Sequence, residues 1–155
     1  MIELLDHHSE SVANEIYEVF QLSYEVEAVL VGSEDFPPLR RSASHIRSSS
    51  SQFLGERVEA DLASVIEFSH SGDILSIDSL VVHPECFRRG LASQLLKSLL
   101  ARVCWRTADV ETAVANAPAI DLYEKSGFSK SKQWKAAEGI EKVQLIYRKT
   151  GLDDC

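Results

Sequence analysis

A nearly continuous apolar run over Ile74–Val82, followed by a short basic loop and an amphipathic helix, constrains the fold of this chain most strongly. Such a run predicts a strand that is covered on both faces of a sheet. The following helix carries leucines at helical spacing and is predicted to pack on that sheet. The next strand is predicted over residues 109–115, and a strand, helix, strand unit of this length favours a right-handed parallel crossover.

The junction between the basic loop and the helix is a candidate phosphate site. Arg88 and Arg89 precede Gly90, Leu91 and Ala92 in this short segment. The first amides of a helix lack internal partners and lie at the positive end of its dipole, and small side chains let an anion approach the backbone. We therefore predict a diphosphate cradle, although a glycine and two arginines at a helix start also occur in proteins without a ligand.

A second segment, residues 115–128, favours the interpretation of this junction as a ligand site. It has the pattern Asn, two residues, Ala, two residues, Leu-Tyr, three residues, Gly-Phe. Combined with Gly90 and Ala92, it resembles the acyl-CoA-binding core of the GNAT N-acetyltransferase family. The first motif of that family begins with Gln or Arg, where this chain has Phe87, a position that acts mainly through its backbone amide. The fixed positions of the second motif are Asn116, Ala119, Leu122, Tyr123, Gly127 and Phe128.

This resemblance implies an α/β (α+β) fold of the GNAT type. A central mixed, twisted sheet of about six or seven strands would be flanked by about four helices. The parallel strands at residues 74–82 and 109–115 would splay apart to hold the cofactor. We expect one domain over residues 1–150 and a loose C-terminal tail over residues 151–155.

The resemblance also implies acetyl-CoA, a coenzyme A thioester, as the acyl donor. Strand amides and carbonyls would hold the pantetheine arm and polarise the thioester carbonyl. Asn116 is similar to the family residue that contacts this arm, but it is also suited to be a plain helix N-cap. The arm would be held by Leu80, Val81 and Val82, and the diphosphate by Arg88, Arg89, Gly90, Leu91, Ala92 and Ser93.

Transfer to an amine further needs an acid for the departing thiolate and a base for the amine. Tyr123 matches the tyrosine proposed as the acid in the family, and it also suits simple packing on the sheet surface. Residues 111–128 are similar to enzymes that acetylate the N-terminus of bacterial ribosomal proteins, in which a Glu at the place of Glu111 acts as base. We predict Glu111 as the first candidate base, Asp78 as the second, and Glu67 as a rival.

The predicted function is therefore an acetyl-CoA-dependent N-acetyltransferase that works by direct attack in a ternary complex. The alternatives are a non-catalytic acyl-CoA-binding regulatory GNAT module and, without a Walker or Gly-x-Gly-x-x-Gly motif, a nucleotide-binding domain of another kind. The acceptor would be a small-molecule amine or a protein or peptide amine. Arg40, Arg41, His45 and Arg47 could bind an acidic group of the acceptor or form a solvated helix face.

Composition limits the classes of partner that we expect for this chain. The formal net charge of −8 argues against nucleic-acid binding, and no apolar run approaches the length needed to cross a membrane. The three cysteines include no Cys-x-x-Cys pair, so no metal site is predicted. We expect a cytoplasmic protein, and a homodimer is one option that the sequence leaves open.

Overall fold

The computed structural model describes residues 1–150, apart from the side chain of Glu138. The predicted tail at residues 151–155 lies outside the described residues. Within them, one seven-stranded mixed sheet has the strand order β1-β2-β3-β4-β5-β7-β6 and is accompanied by four α-helices. The strands are β1 Ile2–Leu4, β2 Gln52–Val58, β3 Asp61–Ser71, β4 Ile74–Val82, β5 Thr107–Ala113, β6 Ser129–Lys135 and β7 Glu141–Arg148, and the helices are α1 Glu10–Val31, α2 Ala43–Arg47, α3 Leu91–Arg102 and α4 Ala117–Lys125.

The parallel pair in the middle of the sheet confirms the predicted crossover. Strands β4 and β5 pair from Ile74 with Thr107 to Ile77 with Val110, and beyond this point no pairs form between them. Strand β5 begins at Thr107, two residues earlier than predicted, because the amide of Thr107 bonds to the carbonyl of Asp73 just before β4. It ends at Ala113, two residues before the predicted end. The sheet therefore opens along the C-terminal half of β4.

The core lies on both faces of this sheet, as the continuous apolar character of β3 and β4 requires. One cluster joins α1 and α2 to side chains such as Phe53 and Val65. The other joins α3 and α4 to side chains such as Ile66 and Leu75. Neighbouring residues Val65 and Ile66 of β3 thus enter different clusters, because successive side chains of a strand point to opposite faces. None of the helices in residues 1–150 is long and apolar enough to cross a membrane.

The segment after α1 forms one turn of 3-10 helix over Pro37–Arg40. Gly32 ends α1 in a left-handed conformation with φ of 70°. Pro37 then occupies the first position of the short helix, where a missing N–H costs nothing. This turn lies over the middle of the sheet, beside the open end of β4 and β5.

Gly127 stops α4 under a packing constraint as well as a conformational one. Its φ is 112°, and a Cβ atom there would lie 2.6 Å from Cε2 of Tyr147. We expect Gly127→Ala to lower the free energy of unfolding by about 2–4 kcal/mol, the sum of backbone strain and overpacking. Urea denaturation should measure this loss.

Gly32→Ala is the matched control, because Gly32 also has a positive φ but nothing lies within 4 Å of a Cβ placed on it. It should lose only about 1–2 kcal/mol, the backbone part. Equal losses in the two variants would show that Tyr147 moves aside and that the contact carries no penalty.

Candidate active site

The open half of β4 presents unpaired backbone groups toward the gap beside β5. The amide of His83 donates to the carbonyl of Ala63 on β3 at 2.7 Å. Because backbone groups alternate in direction along a strand, those of Leu80 and Val82 are directed away from β3, into the gap. Val81 instead pairs with Val65, and its side chain is buried against α1.

The loop before α3 has the geometry of an anion cradle. Gly90 is the N-cap of α3 with φ of 73°, and Arg88, a residue with a Cβ, also has a positive φ of 65°. A Cβ atom on Gly90 would meet no heavy atom within 4 Å, so the backbone is open to a ligand. The first turn of α3 carries no acidic residue. The chemistry of the site thus suits a phosphate group.

A groove of about 490 Å³ runs from this cradle toward the centre of the sheet. Helix α1 forms one side of the groove and α4 forms the other. Several apolar residues on its rim, including Val26, Leu30 and Phe87, are between 41% and 48% exposed. We call it the donor groove, because it contains most of the residues predicted to hold the acyl donor. These residues are Leu80, Val82, Arg88, Gly90, Leu91, Ala92, Ser93, Asn116 and Tyr123. The Arg89 side chain lines a separate surface groove near Glu15.

A second cavity of about 690 Å³ lies on the other side of the same gap. It is covered by the 3-10 turn at Pro37–Arg40 and bounded by the connection between β6 and β7. We call it the acceptor cavity, because the first two predicted base candidates, Glu111 and Asp78, line it. Lys142 lines it as well. The two cavities share Glu27, Leu80, Asn116, Ala119 and Tyr123, so they meet at the N-terminal part of α4.

Tyr123 lies at this junction and is 4% exposed. Its ring packs edge to face on Phe128, with the ring centres 5.5 Å apart. Burial raises the pKa of the Tyr123 phenol above its ordinary value, and the nearby Tyr24 and Glu27 act in the same direction. The phenol therefore keeps its proton over the physiological pH range.

Asn116 combines two contacts at the same junction. Its Oδ1 atom accepts a hydrogen bond from the amide of Ala119 at 3.3 Å, as expected of an N-cap. Its Nδ2 atom donates to Oε1 of Glu27 at 2.9 Å. The side-chain amide is thus fixed from both ends, and α1 is tied to the start of α4.

Asp78 and Glu111 differ in their surroundings. Asp78 is the additional residue of a β-bulge in β4, and its Oδ2 accepts a hydrogen bond from the Ser69 hydroxyl at 2.8 Å. The Asp78 side chain is exposed, like that of Glu111, but partial removal of water from its carboxyl raises its pKa, while the bond from Ser69 opposes the rise. Bulges commonly redirect a side chain beside an active site. Glu111 is exposed, and within residues 1–150 its side chain makes no hydrogen bond or ion pair.

Glu67, the rival base, lies outside both cavities and is occupied by other contacts. Arg41 donates to its two oxygens at 2.6 and 2.9 Å, and the Ser51 hydroxyl donates to Oε2 at 2.5 Å. Glu67 is 4% exposed, and the guanidinium of Arg41 also lies 5.7 Å from the centre of the Phe20 ring. This buried ion pair is structural, because each charge requires the other to stay buried.

The residues of the basic segment have different partners. Arg41 donates to Glu67, and Nε of Arg47 donates to the carbonyl of His8 at 3.2 Å. Arg40, Arg41 and His45 all line the acceptor cavity, and Nε of Arg40 lies 3.8 Å from Oδ1 of Asp35.

Sequence reasoning missed two residues of the site, Tyr24 and Glu27. The hydroxyl of Tyr24 donates to the Ser79 hydroxyl at 2.9 Å, one turn of α1 before Glu27. Both residues line the acceptor cavity. Their spacing of three residues on a long helix was the available signal, because it places them on the same helix face. The sequence did not indicate which face would meet α4.

Comparisons with known proteins found a family model, a relative and solved structures that match this chain. The family model described as the acetyltransferase (GNAT) domain matches residues 8–149. The chain is 35% identical over 141 residues to the UPF0157 protein YqkA of Bacillus subtilis, a match that covers 90% of this chain and 41% of that protein. The chain thus spans less than half the length of this relative.

Two solved structures share the fold at low sequence identity. The ribosomal-protein-S18-alanine N-acetyltransferase of Escherichia coli has a TM-score of 0.76 at 19% identity, covering 99% of this chain and 96% of that one. The PaiA N-acetyltransferase of Thermoplasma acidophilum, solved in complex with coenzyme A, has a TM-score of 0.75 at 16% identity, covering 96% of this chain and 99% of that one.

Proposed function

Because this chain belongs to the GNAT acetyltransferase domain family, we propose that it transfers an acetyl group from acetyl-CoA to a primary amine. The amine would attack directly, with both substrates bound in a ternary complex. The observation that carries this proposal is the junction at Tyr123, where the donor groove and the acceptor cavity meet. Such an arrangement brings two substrates together at one point of the site.

On the donor side, the chain's own groups suit the parts of acetyl-CoA. The amides at Gly90, Leu91 and Ala92, with Arg88, would hold the diphosphate. The exposed backbone groups of Leu80 and Val82 would hold the pantetheine arm and polarise the thioester carbonyl. Acetyl-CoA supplies the acetyl thioester, whose carbonyl carbon is open to attack by an amine.

Side chains at and near the junction would carry out the proton transfers. Tyr123 would donate its phenolic proton to the departing sulfur. Its raised pKa keeps the phenol protonated at physiological pH, and burial also disfavours a charged thiolate, which favours protonation of the sulfur. The proton released by the amine would be taken up, directly or through water, by a carboxylate of the acceptor cavity, where the predicted bases Glu111 and Asp78 lie.

The acceptor is proposed to be a cationic amine, either a small molecule or the amine of a peptide or protein. Three carboxylates, Glu27, Asp78 and Glu111, line the acceptor cavity beside the basic residues Arg40, Arg41 and Lys142, and these carboxylates are the groups that would bind an ammonium. The likeness to a ribosomal-protein-alanine N-acetyltransferase makes α-amines of proteins the first class to test.

Two measurements test the proposal. Calorimetry should detect acetyl-CoA binding by the protein alone, and release of the free coenzyme A thiol should then be followed with alaninamide, a lysine ester, a diamine and an alanine-ended peptide. Thiol release with at least one amine supports the transferase. Binding without release with any amine would instead indicate the non-catalytic acyl-CoA-binding module, and absence of binding would contradict both functions.

A further inference from the structure

Glu27 differs from the two carboxylates that the sequence singled out. Asp78 and Glu111 line only the acceptor cavity, whereas Glu27 lines the acceptor cavity and the donor groove. It reaches this place from α1, one turn after Tyr24, and it is half-buried. Glu27 is therefore the carboxylate that stands at the junction itself.

The hydrogen bond from Asn116 orients the Glu27 carboxylate and still lets it accept further hydrogen bonds. Within residues 1–150, Nδ2 of Asn116 is the one hydrogen-bond donor to this carboxylate. An ionised carboxylate can accept about four hydrogen bonds, so Glu27 retains room for an ammonium group. Asn116 is itself held by the amide of Ala119, and Glu27 is thereby kept in one orientation.

The charged and titratable groups around Glu27 come from three elements. Burial raises its pKa, and the bond from Asn116 on α4 and the charge of Lys142 on β7 oppose that rise. Tyr24, on the same helix, and Tyr123, on α4, are neighbours that stay neutral because burial raises the pKa of each. A half-buried carboxylate with a raised pKa that lines a cleft is a candidate for a functional site.

We propose that Glu27 is a catalytic residue, which binds the acceptor ammonium at the junction and accepts its first proton. This assignment rests on the proposed transferase function and deepens it. The ammonium nitrogen gives one proton to the Glu27 carboxylate and becomes a neutral amine. Its lone pair then forms the C–N bond as the C–S bond breaks, and the sulfur takes the phenolic proton of Tyr123. The second amine proton restores the phenol, and Glu27 releases its proton to solvent.

The roles of the other two carboxylates follow from this assignment. Asp78 and Glu111 lie on the acceptor side alone, so they would attract the cationic acceptor and pass its proton to solvent. Glu27 would make the direct contact with the reacting nitrogen.

The test compares Glu27→Gln with Glu25→Gln, using the amine that releases most coenzyme A thiol in the panel above. Gln keeps the hydrogen-bond acceptor for Asn116, and Glu25 is an exposed residue of the same helix that lines neither cavity. We expect kcat/KM of Glu27→Gln to fall about 10²-fold at pH 7, the usual scale of general base catalysis, with acetyl-CoA affinity unchanged. Glu25→Gln should match the wild type.

The pH profile separates a base from a structural role. The deficit of Glu27→Gln should shrink as pH passes the pKa of the acceptor amine, about 8 for an α-amine or about 10.4 for a lysine-like amine, because free amine then needs no base. A deficit that is constant with pH, or one that appears in Glu111→Gln and not in Glu27→Gln, would overturn the assignment. A wild-type protein inactive with every amine would instead overturn the transferase function on which it rests.

Discussion

Replacing Gly90 with glutamate is expected to abolish acetyl-CoA binding, lowering affinity by at least about 10³-fold, or about 4 kcal/mol. The new side chain would start from the backbone position that faces the open cradle, where a Cβ meets nothing within 4 Å. Its carboxylate would repel the diphosphate at the positive end of α3 and would occupy the space that the ligand needs. Isothermal calorimetry with acetyl-CoA measures the loss directly.

Gly72→Glu provides the matched control for this prediction. Gly72 lies in the turn between β3 and β4, has φ of 61° and is equally open around its Cβ position. Both variants therefore add the same charge and the same left-handed strain, about 1–2 kcal/mol of stability. Affinity retained in Gly90→Glu, or lost equally in Gly72→Glu, would show that the loop before α3 does not hold the diphosphate.

The sequence predicted the part of the fold in which local pattern and packing agree. The apolar run of β4 required cover on both faces, and the two core clusters supply it. The boundaries were less accurate, since β5 begins at Thr107 because of a bond to the carbonyl of Asp73, a residue far away in sequence. Such a long-range contact leaves no local signal in the amino-acid pattern.

The donor side of the site was predicted more completely than the acceptor side. Gly90, Asn116 and Tyr123 belong to motifs with fixed spacing in the continuous segment from β4 to α4, so the chain connectivity brings them together. Glu27 reaches the same junction from α1, which is about 90 residues away from α4 in sequence, and Tyr24 of the same helix lines the acceptor cavity beside it. The location of α1 over the open strands depends on tertiary packing that a single sequence does not display.

Buried charge explains why Glu67 resembled a base candidate. A carboxylate in an apolar strand needs either a function or a partner. The partner is Arg41, which follows the 3-10 turn and forms a paired contact with both oxygens of Glu67. Arg41, one of the basic residues considered for acceptor binding, and the acidic residue in β3 thus form one structural ion pair, whereas Arg40 and His45 line the acceptor cavity.

Tyr123→Phe is expected to reduce kcat about 10²- to 10³-fold while leaving acetyl-CoA affinity nearly unchanged. Phenylalanine keeps the ring that packs on Phe128 and removes only the hydroxyl at the junction. The raised pKa also predicts that wild-type kcat shows no decline from deprotonation of Tyr123 below a pH of about 10, because a group with a raised pKa stays protonated to higher pH. Steady-state thiol release across this pH range provides both measurements.

Tyr147→Phe is the control for the loss of a phenol from a packed ring. Tyr147 also packs edge to face, on Trp105 and Phe128, but it lines neither the donor groove nor the acceptor cavity. Its variant should keep wild-type kcat and bind acetyl-CoA normally. If Tyr123→Phe behaves in the same way, Tyr123 only packs beneath the junction, and the sulfur must take its proton from water; if kcat falls in Tyr123→Phe alone, the proton comes from the phenol.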